Sequence, residues 1–229
     1  KCRRILTLVS QRLAEQGCEV LFPDLFGTGD SAGDFRDASW KGWGEDWAAL
    51  DEWLMQNSAA PRPAYLCVRS GALLLSVARG LLNDFGRARI VLWQPVLECE
   101  RFLRAFLRLR TVSDRLAGRA ESMSELDARL RSGQSVEIAG YELSASMAAE
   151  MTSLTLDAAH LAGCAEVRIM EFRSSPNPVM TPATSEFVDS LQREHIEAIG
   201  AAIECEQFWA TRDVVAPGAA LSATMLALA

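Results

Sequence analysis

The stretch Ala64-Tyr-Leu-Cys-Val-Arg-Ser-Gly-Ala-Leu-Leu-Leu75 restricts the possible folds more than any other part of the chain. A short apolar run (Tyr65, Leu66, Val68) passes through a tight Arg69-Ser70-Gly71 corner into an apolar helix candidate over 72–82. A continuous apolar run of this length suits a strand buried on both faces. The same alternation recurs along the chain. A helix over 3–16 carries Ile5, Leu8, Val9 and Leu13 on one face and closes at Gly17, and Cys18–Phe22 follows as a strand. Ser39 caps a helix that aligns Trp40, Trp43, Trp47, Leu50 and Leu54, a packing face by its spacing. After a linker over 57–63 and the corner itself come strands at Arg89–Trp93, Glu166–Phe172 and Ala201–Cys205. Helices at Thr184–Glu197 and about Pro217–Ala227 accompany the last two. Strands spaced by helices predict an α/β fold with a doubly wound, mostly parallel sheet. Ligands of such sheets bind outside the carboxyl ends of the strands.

Between 96 and 156 the alternation stops. Two arginine-rich amphipathic helices (Cys99–Leu116 and Ser124–Arg131) lead to a hairpin over Ser135–Leu143 that turns at Ala139-Gly140, then to a helix over Ser144–Leu156. This divides the chain into a core of 1–95 and 157–229 and a helical cap or lid insertion of 96–156. At 229 residues the chain fits one domain. A net charge of −7 argues against nucleic acid as a partner. No run of 18 uncharged apolar residues exists to span a membrane. The six cysteines (Cys2, Cys18, Cys67, Cys99, Cys164, Cys205) contain no C-x-x-C pair, which suits reduced thiols in the cytoplasm and predicts neither a disulfide framework nor a metal site. No cofactor is expected.

Strand, corner and helix is the setting of a nucleophile elbow, whose pattern is G-x-S-x-G. Aligning Gly71 with the second glycine puts Cys67 at the first and Arg69 at the nucleophile position. Arginine stays protonated and cannot attack a carbonyl. Ser70, one position later, becomes a nucleophile only in a shifted register; Cys67 is the other unusual choice. Arg69 suits a bidentate grip on a carboxylate or phosphate, or an ion pair with an internal carboxylate. The loop Asp24-Leu-Phe-Gly-Thr-Gly-Asp-Ser-Ala-Gly33 admits three readings. As a dinucleotide fingerprint its glycine spacing is wrong and no helix opens from it. As G-x-S-x-G around Ser31 it lacks the preceding strand. The favoured reading is a glycine-rich turn beside the site edge. His160 and His195 each precede a strand, which puts them at the amino edge, away from the elbow. The loop after the last strand (206–211) has no histidine, and the acid position, in 173–178, offers Asn177. Nucleophile, acid and base are all unsuited.

The chain resembles an α/β-hydrolase-like family encoded with the bacterial exosortase A (PEP-CTERM sorting, exopolysaccharide-associated) system, the second of that system's two hydrolase-like families. The resemblance rests on Asp24–Trp40, Leu92–Val96 with Phe106–Leu109, Val136–Tyr141 and Gln207-Phe-Trp209. It implies a sheet of the α/β-hydrolase type with a cap between core strands, an arginine at the elbow, and an oxyanion-hole turn in a segment ahead of Lys1.

Three functions follow. One is a hydrolase of ester, thioester or peptide-like bonds with a degenerate triad, using Ser70 or Cys67 on a small-molecule, lipid or peptide-like substrate. The second is a non-catalytic binding module, a pseudoenzyme, in which Arg69 anchors an anion and Gln94, Gln207 and Trp209 line the pocket. The third is a scaffold partner of the sorting machinery. Losing any triad member costs orders of magnitude in rate, so catalysis is the weaker expectation.

Overall fold

The computed structural model describes residues 2–59, 63–82, 85–116, 121–210 and 218–228, with side chains to Thr111 and Val112 in the 85–116 segment. The centre of the expected 57–63 linker lies outside them. Four parallel strands form one sheet in the order β1 (Ala64–Val68), β2 (Arg89–Trp93), β5 (Glu166–Arg173) and β6 (Ala198–Glu204). Alternation within each strand feeds two separate cores. Ile90, Leu92, Val167 and Ile169 face α2 (Trp40–Asn57), α3 (Leu74–Ala78) and α7 (Pro182–Arg193). Val91, Trp93, Met170 and Phe172 face α1 (Cys2–Glu15) and α8 (Gly218–Leu228). On that second face the buried Trp93 indole N–H donates to Thr224 Oγ1 at 2.9 Å, which satisfies the one polar atom the ring brings into the core.

The elements obey local rules. Ser39 accepts from Gly42 N–H at 3.0 Å and starts α2. Thr181 with Pro182 behind it starts α7. The stretch expected to be an insertion, between β2 and β5, comprises α4 (Cys99–Leu116), α5 (Met123–Arg131), the hairpin β3 (Val136–Ile138)–β4 (Tyr141–Leu143) and α6 (Ala145–Met151). Ser122 and Glu125 make a reciprocal capping box on α5. Ala139 and Gly140 both adopt positive φ, 51° and 88°, as a two-residue hairpin turn demands. The ends of the insertion are tied side by side, Leu156 N–H to Leu97 O at 2.8 Å and Cys99 N–H to Leu154 O at 2.9 Å. Its buried residues join those of the core in one cluster. Glu150 of α6 accepts from Trp40 N–H at 2.8 Å and so caps α2 from more than a hundred residues away.

Three expectations need correction. Residues 18–22 belong to no strand, and Glu19–Phe22 make no backbone hydrogen bond among the described residues. A strand is a property of a pair, and among the described residues no strand pairs with this segment. The helix after the corner is short: a 3-10 turn over Arg69–Leu73 passes into α3, which stops at Ala78 before Gly80. The last strand begins three residues before the expected Ala201, because Ala198-Ile-Gly-Ala gives little strand signal and is fixed by pairing with Val167–Met170.

Candidate functional site

The carboxyl ends of β1 and β2 turn abruptly, and the two corner residues are Arg69 (φ +55°) and Gln94 (φ +43°). Neither is glycine, and each holds a left-handed conformation that costs about 1–2 kcal/mol. Both continue paired strands one step past Val68 and Trp93, so the sheet brings them side by side. Val96 N–H donates to Arg69 O at 3.1 Å and locks the two corners together. The positive φ falls on Arg69, the first residue of the 3-10 turn, rather than on Ser70, which follows it half-buried. Among the described residues the Ser70 hydroxyl makes no hydrogen bond.

Trp209, in the loop after β6, lies under the Arg69 guanidinium with its ring centroid 5.0 Å from Cζ. Stacking of this kind orients a planar cation without neutralising it. Burial pushes the Arg69 pKa down, opposed by the Cys2 thiol at the first residue of α1. Cys2 packs against the same apolar cluster as Val68 and Trp209, so the α1 N-terminus reaches the same edge. Among the described residues no carboxylate pairs with Arg69, although Arg173, Arg89 and Arg129 each have one. Gln94 Oε1 accepts from Phe172 N–H at 2.8 Å, and Gln207 Nε2 donates to Phe172 O at 3.3 Å. These amides extend the sheet by one residue and hold the end of β5 in place. Arg69, Gln94, Gln207 and Trp209 thus gather at one edge, with the two glutamines engaged in positioning as well as facing it.

Cys67 does not share this edge. It is buried among apolar side chains, and burial pushes its thiol up to about 12, which leaves almost no thiolate to act as a nucleophile. His160 sits in a 3-10 turn before β5, its imidazole beside Asp157, and His195 forms the exposed turn before β6. From the amino ends of these strands to the Arg69 level is about 15–20 Å at ~3.3 Å per residue. Asn177 is exposed in the loop after β5 at φ +50°. Ser31 lies in the glycine-rich loop, where its N–H donates to Thr28 O. That loop is folded tightly on itself: a Cβ on Gly27 (φ +71°) would lie 2.6 Å from Asp34 O. Asp24 bonds Arg3 of α1, and Phe26 O accepts from the Trp43 indole at 2.9 Å. The six cysteines are free thiols, and no cluster of metal-ligating side chains exists among the described residues. None of the described helices is long and apolar enough to cross a membrane.

No protein-family model matches the chain, and no curated protein does so. Solved structures do. An α/β hydrolase from Sphaerobacter thermophilus superposes with a TM-score of 0.51 at 20% identity, over 96% of this chain and 86% of that one. A hypothetical protein from Pseudomonas aeruginosa gives 0.49 at 12% identity, over 86% and 71%. An α/β-hydrolase-fold protein of unknown function gives 0.44 at 14%, over 83% and 70%. The first of these, together with the parallel four-stranded sheet and its flanking helices, establishes the architecture: the chain has the α/β-hydrolase fold.

Proposed function

We propose that this protein is a binding module built on a hydrolase fold, in which Arg69 holds a carboxylate or phosphate group at the carboxyl edge of the sheet, covered by the 96–156 insertion. One observation carries the reading. A half-buried guanidinium stands at the strained corner of the elbow, stacked on Trp209, with no acidic partner among the described residues. A partly desolvated cation without an internal counter-ion is a site for an external one. The Ser70 hydroxyl makes no hydrogen bond among the described residues, both histidines lie at the far edge and Asn177 is no acid, so the residues favour binding over hydrolysis and a degenerate triad. Gln94, Gln207 and Trp209 shape the pocket. The resemblance to the exosortase-associated family supports a ligand, or a protein partner, that belongs to a bacterial exosortase and exopolysaccharide-associated system.

Thermal unfolding against inorganic phosphate, acetate, short acyl phosphates and phosphopeptides tests the reading. A ligand at about 100 times its Kd adds ~2.7 kcal/mol, a shift of about 5–10 °C for a chain of this size. Arg69→Ala should erase the shift, and Arg69→Lys should retain a part of it. A native protein that no anion stabilises, or an Arg69→Ala variant stabilised equally, sinks the proposal. Fluorophosphonate labelling that disappears in Ser70→Ala would restore the hydrolase instead.

A further inference from the structure

β6 closes one side of the sheet, and among the described residues it is bonded to β5 alone. Glu197 O accepts from Val167 N–H at 2.8 Å and Cys205 N–H donates to Arg173 O at 3.0 Å, so the odd-numbered residues turn their peptide groups toward β5. Alternation then aims those of Ala198, Gly200, Ala202 and Glu204 outward. In that row Ala198 O accepts from Gln192 Nε2 at 2.9 Å, while Gly200 and Ala202 have no backbone partner on the outer side among the described residues. Native proteins blunt a free edge with lysine, proline, a bulge or an inward charge. None of these stands between Ala198 and Ile203, and the register with β5 is continuous.

The side chains along this edge differ between the two faces. Ile203 and Cys205 belong to the core under α1 and α8, so alternation puts Ile199 and Ala201 on that face as well. Both are exposed there, Ile199 by 47%. α8 carries no charged residue over Gly218–Leu228 and leaves Leu226 82% exposed. A helix apolar on all sides has the composition of one covered on all sides. The even-numbered residues face α7, since a Cβ on Gly200 would meet Met180 and Val188. That face carries the charges. Glu204 is exposed without a cation beside it, and Arg193, in the last turn of α7, is exposed without a carboxylate, among the described residues.

We propose that β6 pairs antiparallel with β6 of a second copy of this chain, about a two-fold axis at Ala201, and joins two four-stranded sheets into one. The outward groups fit this register. Gly200 exchanges both of its bonds with Ala202 of the second copy, and Ala201 faces its own equivalent at a non-bonded position, where side chains come closest. Ile199 falls opposite Ile203 on the α8 face, so the exposed isoleucine is covered. Glu204 falls opposite Ala198, whose carbonyl Gln192 holds, and so comes beside Arg193 of the second copy on the α7 face. An unrelated apolar strand would pair with the backbone but leave Glu204 and Arg193 without partners. A second copy supplies both charges at once, because a two-fold contact uses the same patch on each side and closes at two chains.

Sedimentation equilibrium over roughly 1–100 µM protein tests this, and the native chain should show a monomer–dimer equilibrium. Ile199→Lys sets a charge on the exposed face of the edge and should raise the dimer dissociation constant at least about 100-fold, with the far-ultraviolet circular dichroism unchanged. Ala202→Pro deletes an outward N–H that an edge strand can spare and should act alike. Glu204→Arg should weaken the dimer about tenfold, and adding Arg193→Glu should return it to within about threefold of the native value. A native chain that stays monomeric throughout overturns the proposal. So does a dimer that Ile199→Lys and Ala202→Pro leave intact, which would put the contact elsewhere. A charge-swapped double variant no tighter than Glu204→Arg alone would overturn the register.

Discussion

Replacing Gln94 by alanine, and separately by glycine, isolates two costs at the end of β2. Gln94 Oε1 accepts from Phe172 N–H at 2.8 Å, and the Phe172 side chain is fully buried, so water has poor access to the orphaned donor. Leaving a buried N–H without its acceptor costs about 1–3 kcal/mol. At ~2 kcal/mol the alanine variant should melt about 4–8 °C below the native protein. Gln94 also stands at φ +43°, a conformation that alanine endures and glycine does not resent. Gln94→Gly should therefore recover about 1 kcal/mol and lie some 2–4 °C above Gln94→Ala. Gln94→Glu keeps the acceptor and should melt near the native value at pH 7, while placing a carboxylate beside Arg69 that blocks anion binding. Thermal and urea unfolding followed by far-ultraviolet circular dichroism read all three. An alanine variant as stable as the native chain would refute the role of the amide. Alanine and glycine variants of equal stability would refute the cost assigned to the backbone.

Glu171 offers a pH-dependent test. Burial alone would raise its carboxyl, but hydrogen bonds from Thr181, Thr184 and Arg173 together outweigh it and hold the pKa below its usual 4.5. A depressed carboxyl stabilises fully above the unfolded value and loses that contribution as pH falls through the folded one, so Glu171→Gln should flatten the acid limb of a stability–pH curve below about pH 4.5. Glu171→Ala should cost about 2–3 kcal/mol at pH 7 by urea unfolding, since Thr181 loses its acceptor at the start of α7. Glu150→Ala should cost about 1–2 kcal/mol, read from the same urea midpoints, because Trp40 and Lys41 N–H lose their cap. Glu150→Gln should retain about half of that contribution.

What the sequence revealed follows the range of the forces involved. β2 spans Arg89–Trp93 and α4 spans Cys99–Leu116, as the apolar runs predict, because contiguous burial and helical spacing are written locally. The hairpin turn at Ala139-Gly140 is likewise a matter of two residues. The convergence of Arg69, Gln94, Gln207 and Trp209 at one edge is implied by parallel topology, which puts every strand's carboxyl end on the same side. Non-local facts are harder to read. That Gln94 and Gln207 both grip Phe172 depends on where β5 ends relative to β2, and that Glu150 caps α2 depends on how the insertion folds back. Val20, Leu21 and Phe22 have the composition of a strand, yet the segment stays unpaired, since composition does not supply a neighbour.

The paired ends of the insertion bear on how the molecule assembles. Every strand in the sheet is parallel to its neighbours, so each pairing must wait for a crossover. The stretch separating β2 from β5 is roughly three and a half times as long as that separating β1 from β2, which adds about 1 kcal/mol of closure entropy. The hydrogen bonds between Leu97 and Leu156 and between Cys99 and Leu154 remove that handicap once they form. They reduce the span from Trp93 to Glu166 to a short detour around an already folded knot of helices and hairpin. In kinetic terms the insertion is a staple that, once its two ends are tied, brings the two central strands of the sheet within reach of each other.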